Sequence, residues 1–113
     1  MDFEFEREWN KLVKLMMDRF GEQPDVTSMV FAVGLQEVSQ GPSEYKKDDK
    51  VNLIHVGVCT LLEPLGYYKT LGLDSDGWPH FERVGELPDL DSDEQELLLK
   101  RQLVDYFAGW IAE

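Results

Sequence analysis

Basic residues are scarce in this chain of 113 residues, where 11 Lys and Arg stand against 23 Asp and Glu for a formal charge of −12. A surface of that sign repels phosphate backbones and anionic lipid, which argues against direct nucleic-acid binding and against a membrane surface. The densest basic stretch, Lys46-Lys47-Asp48-Asp49-Lys50, is reduced to one net positive charge by its own aspartates. Cysteine is nearly absent. Cys59 stands alone, so no intramolecular disulfide can form, and its neighbours Val58 and Leu61 point to a buried structural thiol in a reducing compartment. Long apolar runs are missing as well, none approaching the roughly eighteen residues a membrane span needs. The opening Met1 to Glu8 holds four acids against one Arg, the opposite of a secretory or transit signal, and a cytoplasmic protein is expected. No Gly-rich phosphate loop, Walker lysine, nucleophile elbow or HExxH pattern occurs, and no cofactor is expected.

What is present is a hydrophobic content of 42% on a chain of single-domain length, so residues 1–113 are expected to fold as one domain. Apolar residues at 5, 9, 12, 13, 16 and 20 gather into one helical stripe, with Gly21 and Pro24 supplying the stop. Trp9, Met16 and Met17 then read as core and flanking packing. A second segment, Asp25 to Gln40, has apolar residues nearly all round and ends at Gly41-Pro42, with Asp25 or Thr27 able to cap it. A third, from about Tyr45 to Leu65, carries Val51, Ile54, Val58, Leu61, Leu62 and Leu65 on one stripe and must kink or end at Pro64. The last helix begins after Pro88, where Ser92 and Gln95 have capping-box spacing, and shows an apolar face from Leu97 to Trp110 and Ile111. The expected fold is all-α, a compact bundle of four main helices with a long structured loop, residues 66–90, before the last helix. The alternative is an α+β domain whose central hairpin is made from the second and third segments.

The 66–90 connection holds the candidate chemistry. Asp74-Ser75-Asp76-Gly77 suggests a calcium loop, yet with Gly77 at the sixth position, Gly72 and Arg83 fall where an EF-hand requires carboxylates. A turn with a positive φ at Gly77 is the better reading. His55 lies one helical turn before Cys59; with His80 and Asp74 or Asp76 these would complete a ligand set for Zn²⁺ or another transition metal. Against it stands the plainer reading of a hydrogen-bonded histidine and an inert thiol. Trp78-Pro79-His80-Phe81 places a large aromatic before a rigid turn. It is either a plug sealing the loop onto the helices or, with Tyr67 and Tyr68, the wall of a groove for a peptide or small apolar ligand.

Residues Phe31 to Val38, Lys50 to Cys59 and Asp74 to Glu82 together make a pattern that resembles a family of small bacterial helical proteins of unknown function. The likeness spans most of residues 25–107. It implies a bacterial cytosolic protein with helices in the second and third segments, and it implies no activity, cofactor or site residue. The function expected from the residues is a non-enzymatic interaction or adaptor domain that meets a protein partner, or itself as a homodimer, through the aromatic loop or an acidic face. The alternative is a small-molecule or metal-binding protein, enzymatic or not, with its site between the 66–90 loop and His55/Cys59.

Overall fold

The computed structural model describes residues 2–22, 24–38 and 48–111, with the side chains of Phe20, Trp110 and Ile111 outside it. The elements run α1 (Phe3–Phe20), α2 (Val26–Glu37), α3 (Asp49–Leu62), a 3₁₀ turn (Glu63–Leu65), β1 (Tyr68–Leu73), β2 (Pro79–Arg83), α4 (Ser92–Tyr106) and α5 (Ala108–Ile111). Among the described residues the protein is thus mostly helical, with four main helices and one two-stranded antiparallel hairpin. No helix among the described residues is long and apolar enough to cross a membrane. Contacts divide the chain into two compact units, Met1–Val26 with Leu90–Glu113, and Thr27–Asp89.

In the first unit α1 packs on α4 and α5. Asp2 caps α1 by accepting the Phe5 N–H at 3.0 Å, and Gly21, at φ 80°, closes it by donating its N–H to the Met17 carbonyl at 2.8 Å. Leu12, Met16, Leu103 and Phe107 form a dry centre. Each such side chain contributes about 1.5–3 kcal/mol by leaving water. Two cations of α4 cover aromatics of α1, the Arg101 guanidinium 4.6 Å from the Phe5 ring centre and the Lys100 ammonium 5.2 Å from that of Trp9.

Two sequence expectations need correction here. The capping box of α4 is Asp91 with Glu94, not Ser92 with Gln95: the Glu94 N–H reaches Asp91 Oδ1 at 2.8 Å, and the Asp91 N–H reaches Glu94 Oε1 at 3.3 Å. Both pairs have the same spacing, so the position of the first helical turn decides between them. Gln95 instead donates its side-chain amide to the Leu90 carbonyl at 2.9 Å. The last helix is also not continuous to Ile111, since α4 ends at Tyr106 and α5 follows Phe107.

In the second unit α2 and α3 are both helical, as expected of the second and third segments. Met29, Val30 and Val33 of α2 are buried, as are Leu53, Val56, Cys59, Leu61 and Leu62 of α3. Two glycines let the backbones touch. A Cβ on Gly34 would run into the Leu53 carbonyl, and one on Gly57 into the Val30 carbonyl. Pro64 turns the end of α3 into the 3₁₀ turn, and Gly66, at φ 86°, lets the chain reverse. The expected break at Gly41-Pro42 and the start of the third segment at Tyr45 lie outside the described residues.

The 66–90 connection departs most from expectation, because it contains the hairpin. Tyr68 pairs with Arg83, Lys69 with Glu82 and Thr70 with Phe81; the register then slips, and Gly72 pairs with His80 and Leu73 with Pro79. Leu71 is the extra residue of this bulge, and Gly72 takes φ 98° beside it. An isolated two-stranded ribbon is marginal in water. This one is held by Trp78 and Phe81, which with Phe31 and Leu35 pack on Val38, Leu53 and Val56. The all-α expectation is corrected by these strands. The hairpin of the α+β alternative falls in the wrong place, since its segments are the helices α2 and α3.

Candidate interaction surface

Asp74 organises the tip of the hairpin. Its Oδ1 accepts the N–H groups of Asp76 at 2.9 Å and Trp78 at 3.0 Å, and its Oδ2 sits 2.8 Å from His80 Nε2. The backbone closes the same turn, with the Asp74 N–H on the Trp78 carbonyl and the Gly77 N–H on the Asp74 carbonyl. The His80 contact first, and then the two N–H groups, hold the Asp74 carboxyl below the ordinary carboxylate range. Gly77 has the positive φ of 86° that the sequence reading required of this turn.

The hairpin has two unlike faces. Trp78 and Phe81 point inward, which makes the Trp78-Pro79-His80-Phe81 run a plug on the helices. Tyr67 and Tyr68 are half-buried; the Tyr67 carbonyl accepts the Val84 N–H at 3.0 Å and so pins the open end of the hairpin. Leu71, at the bulge, keeps 61% of its surface in water, and Leu73, opposite Pro79 on the groove side of the tip, keeps 57%; Leu65, Val84 and Leu87 are exposed in the same unit. Sequence reasoning missed these leucines. The available signal was the alternation of Tyr68 and Thr70 with Lys69 and Leu71, which the bulge interrupts before Leu73.

A groove of about 220 Å³ lies where β1 and β2 meet the ends of α2 and α3. Glu37, Thr60, Glu63, Thr70, Leu73 and Phe81 line it. One of its walls is also a lock: the Thr70 N–H donates to Glu63 Oε2 at 2.7 Å. That carboxylate occupies a strand edge that would otherwise be open to another chain.

The residues considered for metal binding form two separate pairs. Cys59 Sγ lies 3.6 Å from His55 Nε2, with Cys59 buried and His55 exposed. Asp74 holds His80, while Asp76 enters that turn through its backbone N–H. Among the described residues no three His, Cys, Asp or Glu side chains are grouped to hold a metal ion. Burial pushes the Cys59 thiol up to about 11, so the thiolate needed for nucleophilic or metal chemistry is scarce at neutral pH.

The fold and surface therefore define a mostly helical chain that presents one hairpin. Comparison with family models, with curated proteins and with solved structures finds no match for it.

Proposed function

We propose that the chain is a non-enzymatic interaction module that docks a protein partner through the solvent face of its hairpin. The observation that carries this reading is the exposure of Leu71, at the bulge, and of Leu73, at the tip of the same strand, while Trp78 and Phe81 of the hairpin already serve the core. Two large apolar side chains more than half exposed on one short strand are a recognition feature when acids rim them. Between Glu63 and Asp89 the chain carries six acids and two bases, so the partner's contacting surface is apolar with basic flanks. Charge also weighs against self-association, since two copies at −12 repel. The reading places the protein in the cytoplasm, supported by its lone buried thiol.

Site-specific photo-crosslinking in cells tests it, with the reactive group at Leu71 and, as control, at Val51, which is 70% exposed on α3. The expected outcome is an adduct with a basic partner from Leu71 and none from Val51. The purified pair should bind more weakly as salt rises. Equal adducts at both positions, no adduct, or an adduct only with a second copy would overturn the proposal.

A further inference from the structure

The hairpin has two outer edges, and among the described residues a side chain blocks one of them at its centre. The Val84 N–H bonds to the Tyr67 carbonyl, which makes 67 and 84 a hydrogen-bonded pair. Antiparallel pairs alternate, so Lys69 and Glu82 are the next such pair, and Thr70 and Phe81 turn their backbone groups away from each other. On the β1 side the consequence is visible, because the outward Thr70 N–H is taken by Glu63. On the β2 side the same alternation turns the N–H and C=O of Phe81 and Arg83 outward. Among the described residues no loop or side chain bonds to them. A strand edge left in that state is a template for another strand.

We infer that the outer edge of β2 takes up an extended segment of the partner as a third strand, one that alternates basic and apolar residues. The inference rests on the docking reading above and specifies its geometry. Side chains set the chemistry of the segment. Pro79 and Phe81 are half-buried toward the helices, whereas His80 and Glu82 stand in solvent. A strand laid beside β2 therefore places one set of its side chains next to Phe81 and the other next to Glu82, which calls for apolar and basic residues respectively. Self-pairing fails in each central register. Phe81 against Arg83 brings Glu82 face to face with the Glu82 of a second copy, and Arg83 against Arg83 opposes like charges. Phe81 against Phe81 sets Pro79, which has no N–H, against Arg83 and loses a bond at each end.

The probe is a capped peptide about nine residues long that alternates lysine and valine, added to the full chain and followed by amide hydrogen exchange. Bound peptide should slow exchange of the Phe81 and Arg83 amides about tenfold, while the Thr70 amide, already held by Glu63, keeps its rate. Arg83→Pro removes an outward N–H without touching the pairing to β1, and it should weaken binding about tenfold. The same peptide N-methylated on the amides that face β2 should also fail, with the protein unaltered. No binding, binding without protection at Phe81 and Arg83, or equal binding of the methylated peptide would overturn strand addition. A Leu71 adduct that survives Arg83→Pro would leave the docking reading standing and end this one; absence of both the adduct and peptide binding in the unaltered protein would end both.

Discussion

The two units solve the same problem, holding helices together, by different means. In the first, side chains do the joining: Leu12, Met16, Leu103 and Phe107 fill the space between α1 and α4, and Arg101 and Lys100 lie over Phe5 and Trp9. In the second, α2 and α3 approach until Gly34 and Gly57 meet the carbonyls of Leu53 and Val30. Side-chain packing tolerates repair, because neighbours can shift into a small change of volume. Backbone contact does not. The largest expected effect therefore falls on the glycines. Ala is favoured over Gly in a helix by about 1 kcal/mol, so Gly34→Ala or Gly57→Ala would stabilise a loosely packed pair. With a carbonyl in the way, each should instead destabilise by about 4 kcal/mol, read as a lowered denaturant midpoint. A raised midpoint would break the comparison.

The matching change in the first unit is Leu103→Ala. Leu103 is fully buried, and its truncation should cost about 3 kcal/mol through lost transfer and the cavity left behind. Relief of part of that cost by filling the space, through a second substitution at Met16 or Leu12, would sharpen the contrast. No neighbouring substitution should relieve Gly57→Ala.

This contrast also explains what could be read in advance. The stripe of α1 was legible because Leu12 and Met16 recur at helical spacing, and its stop was legible because Gly21 has the one conformation that closes it. The Gly34 and Gly57 notches were not, since each is defined by a carbonyl on the other helix and leaves no local periodicity. Leu71 hid the hairpin for a different reason: its bulge breaks the alternation that marks a strand, and both Leu71 and Leu73 end in solvent. At the candidate site, the turn at Asp74–Gly77 was legible, whereas for Trp78 and Phe81 the sequence left a plug and a groove wall both open, and the packing favours the plug. The edge of β2 was not, because an open edge belongs to strand pairing and carries no residue signature. The His55, Cys59 and His80 grouping joined residues by type, and the fold keeps them in separate pairs.

A smaller effect is expected at the cap of α4. Asp91→Ala removes the acceptor for the Glu94 N–H and should cost about 1 kcal/mol, while Ser92→Ala should be nearly neutral. Thermal unfolding of the two variants side by side checks this. The reverse order would make Ser92 the capping residue.

The least effect on stability, and the most informative for the hairpin, concerns pH at Asp74. Its carboxyl is held below the ordinary value of 3.8 by His80 and by the N–H groups of Trp78 and Asp76. A lowered folded value means that the contribution of Asp74 is fully present above the unfolded value and is lost as pH falls through the folded one. The contribution of the Asp74 carboxylate's own ionisation should thus be complete above about pH 5 and be lost only on strong acidification. Amide NMR reads this directly: the Asp76 and Trp78 amide protons should move together, with one midpoint below 3.8. In Asp74→Asn the side-chain oxygen can still accept both amides, but it no longer titrates, so their shared acid transition should vanish while the turn persists. Separate midpoints for the two amides, or one at or above 3.8, would show that Asp74 does not hold the tip as described. Persistence of the transition in Asp74→Asn would assign it to another carboxylate and leave the order of the hairpin resting on Trp78 and Phe81 alone.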